Sequence, residues 1–225
     1  MSTKAVAELE RLLRNADTHD MYGWFNDQKP HILEIIERAY ETNKSLAWLY
    51  LHGIADEAGT TTDVFYKTFQ ERWVWRSLSG QGWRIFESDI AQGVPTNVAL
   101  ELMIKRMSGS AFRHTYNGSR DTIMRTVQKS NTMVGYQRVS MTGWPCYFCA
   151  MLISRGAVYK RNMGRFKAHD SDKCTAEPRF RNELLNKPDA QVKKFSDIWG
   201  ASGAKHSGMD AINAFRDAYN AEKSK

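Results

Sequence analysis

Residues 143–180 decide much of this fold, and they read GWPCYFCAMLISRGAVYKRNMGRFKAHDSDKCTAEPRF. This stretch holds all three cysteines of the 225-residue chain. Cys146 and Cys149 are separated by two residues, and Cys174 follows after a loop rich in Gly, Arg and Lys that also carries His169. A cysteine pair at this spacing is typical of a metal site or of a redox site, so the candidate chemistry concentrates here.

Three thiols and one imidazole form a candidate metal site. A structural zinc ion is held by four ligands in a tetrahedron, and a Cys-x-x-Cys turn supplies two of them from one side. The predicted ligands of such an ion are Cys146, Cys149, His169 and Cys174, and Asp172 is an alternative oxygen ligand. The ion would stabilise a small module whose short strands provide little apolar core. Three ordinary buried thiols are the alternative, because cysteine is among the most buried residue types.

Catalytic interpretations of these cysteines are incomplete. Zinc deaminases share Pro-Cys-x-x-Cys, but they also need an upstream His-x-Glu, and the chain has only His31 and Glu34 at the wrong spacing. A thioredoxin-like site needs a βαβ context that the pattern does not show. A cysteine hydrolase needs an oriented histidine base, and the sequence orients neither His114 nor His169. We therefore expect no enzymatic activity, and a zinc-dependent nucleic-acid-binding or deaminase-like protein is the alternative.

The positive charge lies from the middle of the chain through the cysteine region. The formal net charge is +7, and residues 155–194 carry 11 Lys and Arg against 5 Asp and Glu, whereas residues 1–58 carry 6 against 10. A basic face suits nucleic acid or an acidic protein, and a solvated surface is the alternative. The candidate nucleic-acid contacts are Arg155, Lys160, Arg161, Arg165 and Lys167.

Two classes of protein are disfavoured by the sequence. No run of about 18 apolar residues occurs, so the sequence predicts no membrane-spanning helix. The N-terminal segment places Glu8 and Glu10 inside its apolar stripe and lacks the apolar region of a signal peptide. An odd number of cysteines fits metal binding or thiols better than a disulfide framework, which indicates synthesis in a reducing, cytosol-like compartment.

Apolar residues at spacings of three and four predict helices through the first half of the chain. Ala5 to Leu13 form an amphipathic opening helix, and Pro30 is placed in the first turn of a second one. A turn is predicted over 77–82. Thr96 caps a further helix that ends at Asn117-Gly118, and Ser119 then caps a new helix.

At Met133 the pattern changes to a period of two. Val134 to Val139 predict a strand that leads into the Cys-x-x-Cys turn, and residues 150–154 predict one short helix. Two more extended pieces are predicted at Val158-Tyr159 and at Cys174–Pro178.

These elements predict an α+β fold. We expect a mainly helical body over residues 1–132 and a β-containing Cys-x-x-Cys module with its basic loop over 133–194, stapled by zinc. A helical tail over 195–225 is expected to pack back.

Five stretches of the chain share motifs with a known family: NGSRDTI at 117–123, GYQRV at 135–139, PCYFCAML at 145–152, SRGAVYK at 154–160 and AINAFR at 211–216. They resemble the minor capsid proteins of actinobacterial tailed phages, which belong to the Mu F-like head morphogenesis class. The resemblance covers roughly residues 110–220, and the N-terminal half is similar only in its helical style.

The resemblance implies a virion component that is made in the host cytoplasm. Such proteins lie inside the head near the portal in few copies, and they assist assembly, DNA packaging or genome ejection. The implied partners are the portal, other capsid proteins and packaged DNA, which would be contacted electrostatically without sequence preference, and no membrane. In the family a His is followed by Cys-x-Cys before Thr, whereas here Asp172 stands where the first of those cysteines is expected. A family-like zinc site would therefore use His169 or Asp172, and the alternative is a degenerate site that holds no metal.

Overall fold

The computed structural model describes residues 2–160, 166, 168–182 and 189–225. The described chain is mainly helical with a small antiparallel sheet, which confirms the predicted α+β class. In chain order its helices and strands are α1 (Ser2–Leu13), α2 (Met21–Glu57), α3 (Glu71–Gln81), α4 (Trp83–Ala91), α5 (Thr96–Lys129), β1 (Met133–Ser140), α6 (Tyr147–Ile153), β2 (Tyr159–Lys160), β3 (Cys174–Phe180), α7 (Ala190–Ala201) and α8 (Gly208–Lys223). None of the helices in the described part of the chain is long and apolar enough to cross a membrane.

Helix α2 begins earlier than the sequence pattern predicts. It starts at Met21 and keeps Pro30 in its interior, so the prediction of a start at Pro30 was wrong. An interior proline removes a backbone hydrogen bond and costs about 3 kcal/mol or more. Met21 and Phe25 are buried in the helical core, and their burial offsets part of that cost. The Asp20 carboxylate also accepts a hydrogen bond from the Gly23 backbone N–H at 2.9 Å at the start of the helix.

Helix α5 is one continuous helix, so the predicted end at Asn117-Gly118 and the predicted new start at Ser119 were wrong. A Cβ added at Gly118 would clash with the carbonyl oxygen of Tyr40 in α2. The glycine is therefore a site of close helix packing rather than a terminator, although it has the lowest helix propensity after proline. The turn predicted over 77–82 is likewise confined to Gly82, which separates α3 from α4.

The chain divides into two compact units. The first comprises Met1–Leu49, Tyr66–Thr122 and Lys167–Asp172, and the second comprises Tyr50–Phe65, Ile123–Phe166 and Lys173–Lys225. The first unit is a helical body whose apolar core includes Leu9, Phe25, Ile36, Leu78 and Met107. The predicted domain boundaries at 132 and 194 stay predictions.

The second unit contains the sheet, in the order β2-β1-β3 with both pairings antiparallel. Ser140 at the end of β1 pairs with Cys174 at the start of β3. Alternate residues of β3 are buried, as expected for a strand with one face on the core. The strand predicted over Val134–Val139 is confirmed within β1. Phe195 of α7 and Phe215 of α8 are buried in the core of this unit.

Candidate metal centre

The Cys146-to-Cys149 turn begins helix α6. Cys146 has extended backbone angles, φ −66° and ψ 154°, and its sulfur accepts a hydrogen bond from the Cys149 backbone N–H at 3.3 Å. An N-cap side chain accepts a hydrogen bond from the backbone N–H of the second or third helical residue, and the third residue here is Cys149. Pro145 fixes its own φ at the entrance of the turn. Local geometry therefore brings the two sulfurs to one side.

The third thiol lies on the sheet. Cys174 begins β3, and its Sγ lies within 4.8 Å of the Cys149 Sγ, which in turn lies within 4.8 Å of the Cys146 Sγ. Cys149 and Cys174 are fully buried, and Cys146 is exposed. We call these three residues the thiol cluster. Its members come together because the antiparallel pairing of β1 and β3 returns the chain to the turn.

Tyr219 of α8 lies within electrostatic reach of the whole thiol cluster. Burial raises the pKa of Tyr219 to about 12, and the neighbouring cysteine sulfurs add to this shift when they are ionised. A phenol with such a pKa is neutral at physiological pH, so it serves as a hydrogen-bond donor. The spacing of Ile212, Phe215 and Tyr219 predicts an apolar helix face, but it does not reveal that Tyr219 lies near the cysteines.

The donor set of the thiol cluster fits a soft or borderline metal ion such as zinc. Sulfur ligands favour zinc over the hard cations, and coordination deprotonates the thiol. A buried thiolate without a cation is disfavoured, because burial penalises the charged form. The Cys149 sulfur lies within 4.8 Å of each of the other two, so the cluster could contribute thiol ligands to a metal ion.

The two candidates for the fourth ligand lie on the segment Lys167–Asp172, which groups with the first unit. His169 is exposed and Asp172 is buried. The Asp172 backbone N–H donates to the His169 carbonyl at 3.2 Å, and the Arg120 guanidinium donates to the Asp172 carbonyl at 2.5 Å. The predicted ligand roles of both side chains stay predictions.

Further contacts hold this segment against α5 inside the first unit. Arg113 pairs with the Asp170 carboxylate at 2.6 Å, and the Ser171 N–H donates to the Gly109 carbonyl at 2.9 Å. Ser171 has a φ of 62°, a left-handed conformation that is uncommon outside glycine. The sequence carried no signal for these anchoring contacts, because they join residues about 60 positions apart in the chain.

His114, one of the two histidines considered as a catalytic base, is buried in the first unit. Its burial, together with the neighbouring Arg113 charge, lowers the pKa of His114 to about 3. The imidazole is therefore neutral at physiological pH, and its surroundings are those of a packed core residue.

The basic candidates for nucleic-acid contact are described only in part. Arg155, after α6, and Lys160, in β2, are both exposed, as a surface contact requires. Arg161, Arg165 and Lys167 lie outside the described residues. We call Arg155 and Lys160 the basic pair.

Comparison with known proteins identifies one family. A family model described as "VG15 protein" matches residues 1–201, which include the whole thiol cluster and end before α8. No significant match was found among curated proteins or solved structures.

Proposed function

Because the chain belongs to the VG15 protein family, a family of phage gene proteins, we propose that it is a minor capsid protein of a tailed phage. In this role it resembles the Mu F-like head morphogenesis proteins, and it lies inside the head near the portal. The observation that carries this function is the family match over residues 1–201, because it spans both the helical body and the cysteine module. The motifs at 117–123 and 145–152 support the finer assignment to the Mu F-like class.

In this role the metal site is structural. A catalytic zinc ion keeps one coordination position open to water or substrate. Two of the three thiols, those of Cys149 and Cys174, are fully buried beside Phe195 and Phe215, and Cys146 is exposed; the two buried ligands favour a closed site. The proposed ligands are Cys146, Cys149 and Cys174, and the fourth ligand, His169 or Asp172, stays a prediction from the sequence. When bound, the ion would supply positive charge that keeps the thiols ionised and joins the α6 turn to β3.

The basic pair suits a contact with packaged DNA. Exposed Lys and Arg side chains neutralise phosphates without reading sequence, and such contacts suffice for a protein that meets a genome of any sequence. The proposed partners are thus the portal, other capsid proteins and the packaged DNA.

A zinc-dependent nucleic-acid-binding protein is the second candidate function. The thiol cluster and the basic pair support it equally well, since neither feature depends on a place in the virion. The two functions differ in where the protein is found at the end of infection.

Mass spectrometry of purified phage particles tests the proposed function. We expect the chain in the particles at a few copies each, and crosslinking to the portal protein. Absence from purified particles, with the chain present in the infected-cell lysate, would overturn the virion assignment and favour the second candidate. The major capsid protein and a non-structural phage enzyme serve as the positive and negative controls.

A further inference from the structure

Tyr219 of the C-terminal helix α8 makes a polar contact with the cysteine turn. Tyr219 is 1% exposed, and its hydroxyl donates a hydrogen bond to the carbonyl oxygen of Pro145. Pro145 immediately precedes Cys146, so this bond is made at the last peptide before the thiol cluster begins. A buried carbonyl needs such a partner, because an unpaired one is costly.

Neighbouring aromatic rings fix the position of the Tyr219 ring. Trp144 packs edge-on against it at a centroid distance of 5.4 Å, and Phe195 and Phe215 each lie 6.0 Å away. The Lys194 ammonium lies 3.3 Å from the centroid of the Trp144 ring. With the ring held on several sides, the hydroxyl stays directed at the Pro145 carbonyl.

We propose that Tyr219 is the positioning residue of the thiol cluster. Its hydroxyl holds the Pro145 carbonyl, and thereby fixes the turn in the conformation that directs the sulfurs of Cys146 and Cys149 towards Cys174. The role rests on the structural metal proposed above. Tyr219 belongs to α8, which lies beyond the residues that the family model matches, so the family match does not identify this residue.

Tyr219 therefore has two separable contributions. The ring fills the core of the second unit, where Phe215 and Phe195 do the same. The hydroxyl acts on the turn. Groups that orient metal ligands from outside the coordination shell commonly change metal affinity by about 10- to 100-fold when they are removed.

The test uses the full chain with Tyr219→Phe, which removes only the hydroxyl. Zinc affinity is measured by competition with a chromophoric chelator, and the ligand geometry by the absorption bands of the cobalt-loaded protein. We expect zinc affinity to fall by about 10- to 100-fold and the cobalt bands to shift. The matched control is Tyr159→Phe, which removes a hydroxyl that donates to the Leu152 carbonyl at 3.1 Å near the other end of α6, and should leave affinity unchanged.

A second variant separates positioning from core packing. Phe215→Leu trims a ring beside Tyr219 and keeps the hydroxyl, so it should lower the melting temperature with little change in zinc affinity. If affinity falls in proportion to stability in both variants, Tyr219 acts only through the core and the inference is wrong. Unchanged affinity and cobalt bands in Tyr219→Phe would overturn it too, with the metal site intact. A wild-type chain that binds neither zinc nor cobalt would instead overturn the metal proposal itself.

Discussion

The two units of the chain differ in the side chains that form their buried clusters. The first buries aliphatic and aromatic side chains from five helices, among them Leu9, Phe25, Ile36 and Leu78. A core cluster of the second unit instead includes two buried thiols, those of Cys149 and Cys174, beside Phe195 and Phe215. Thiols can ligate a metal ion, whereas the aliphatic and aromatic side chains of the first cluster cannot. The difference suggests that a bound ion matters for the second unit and not for the first.

Removal of the metal should produce the largest difference between the two units. An ion present at about a thousand times its dissociation constant stabilises the folded state by ~4 kcal/mol. We therefore expect chelation to speed amide hydrogen exchange in β1 and α6 by up to about a thousandfold, and to leave α1 and α3 unchanged. Exchange followed by mass spectrometry, with and without added zinc, measures this directly. Unchanged protection of β1 and α6 after chelation would mean that the second unit does not depend on an ion.

Acidification should act on the first unit through His114. Its pKa is lowered to about 3 in the folded chain, against an ordinary value of 6.5. Between these values the unfolded chain binds a proton that the folded chain does not. Stability is therefore fully present above the unfolded pKa and is lost as the pH falls towards 3, by at most about 1.4 kcal/mol per pH unit.

Urea unfolding of the wild type and of His114→Gln across pH 4–7 measures this slope. The variant should lose the part of the pH dependence that comes from the imidazole, whatever its absolute stability. An unchanged slope would show that His114 does not carry the effect. Because the carboxylates also titrate below pH 5, the interval from 5 to 7 is the informative one.

Reversing the charge of the basic pair should have the smallest effect, and it should change only DNA binding. The double variant Arg155→Glu, Lys160→Glu should bind duplex DNA more weakly. The slope of log K against log salt concentration should become shallower by up to about two, since each phosphate contact contributes ~0.9 to that slope. Lys205→Glu with Lys223→Glu makes the same change in net charge at other exposed positions. If both pairs weaken binding equally, the effect is one of net charge, and the basic pair is not a contact surface.

Much of the second unit could be predicted from local sequence. The change to a period of two located β1, and the Cys-x-x-Cys spacing indicated two sulfurs on one turn. These predictions succeeded because strands and turns with strong local patterns have few alternatives. The partner of Tyr219 was missed, since an apolar helix face reveals burial and not what is contacted.

The helices of the first half were less predictable at their ends. Proline and glycine were interpreted as terminators at Pro30 and Gly118, yet both lie inside long helices. Inside a helix, proline costs about 3 kcal/mol or more and glycine about 1 kcal/mol, and packing of the whole helix outweighs both costs. At Gly118 the missing side chain is what allows the approach to Tyr40.

By itself, the sequence determined the fold class, the presence of three thiols at metal-binding spacing and the motifs that resemble phage head proteins. These are properties of residue identity and of short-range periodicity. Only the tertiary structure decided that Cys174 joins Cys146 and Cys149, and that Tyr219 donates to the carbonyl before them. Those contacts join residues from 25 to 74 positions apart. Contacts between residues so distant in the chain depend on the packing of the whole unit rather than on any local pattern.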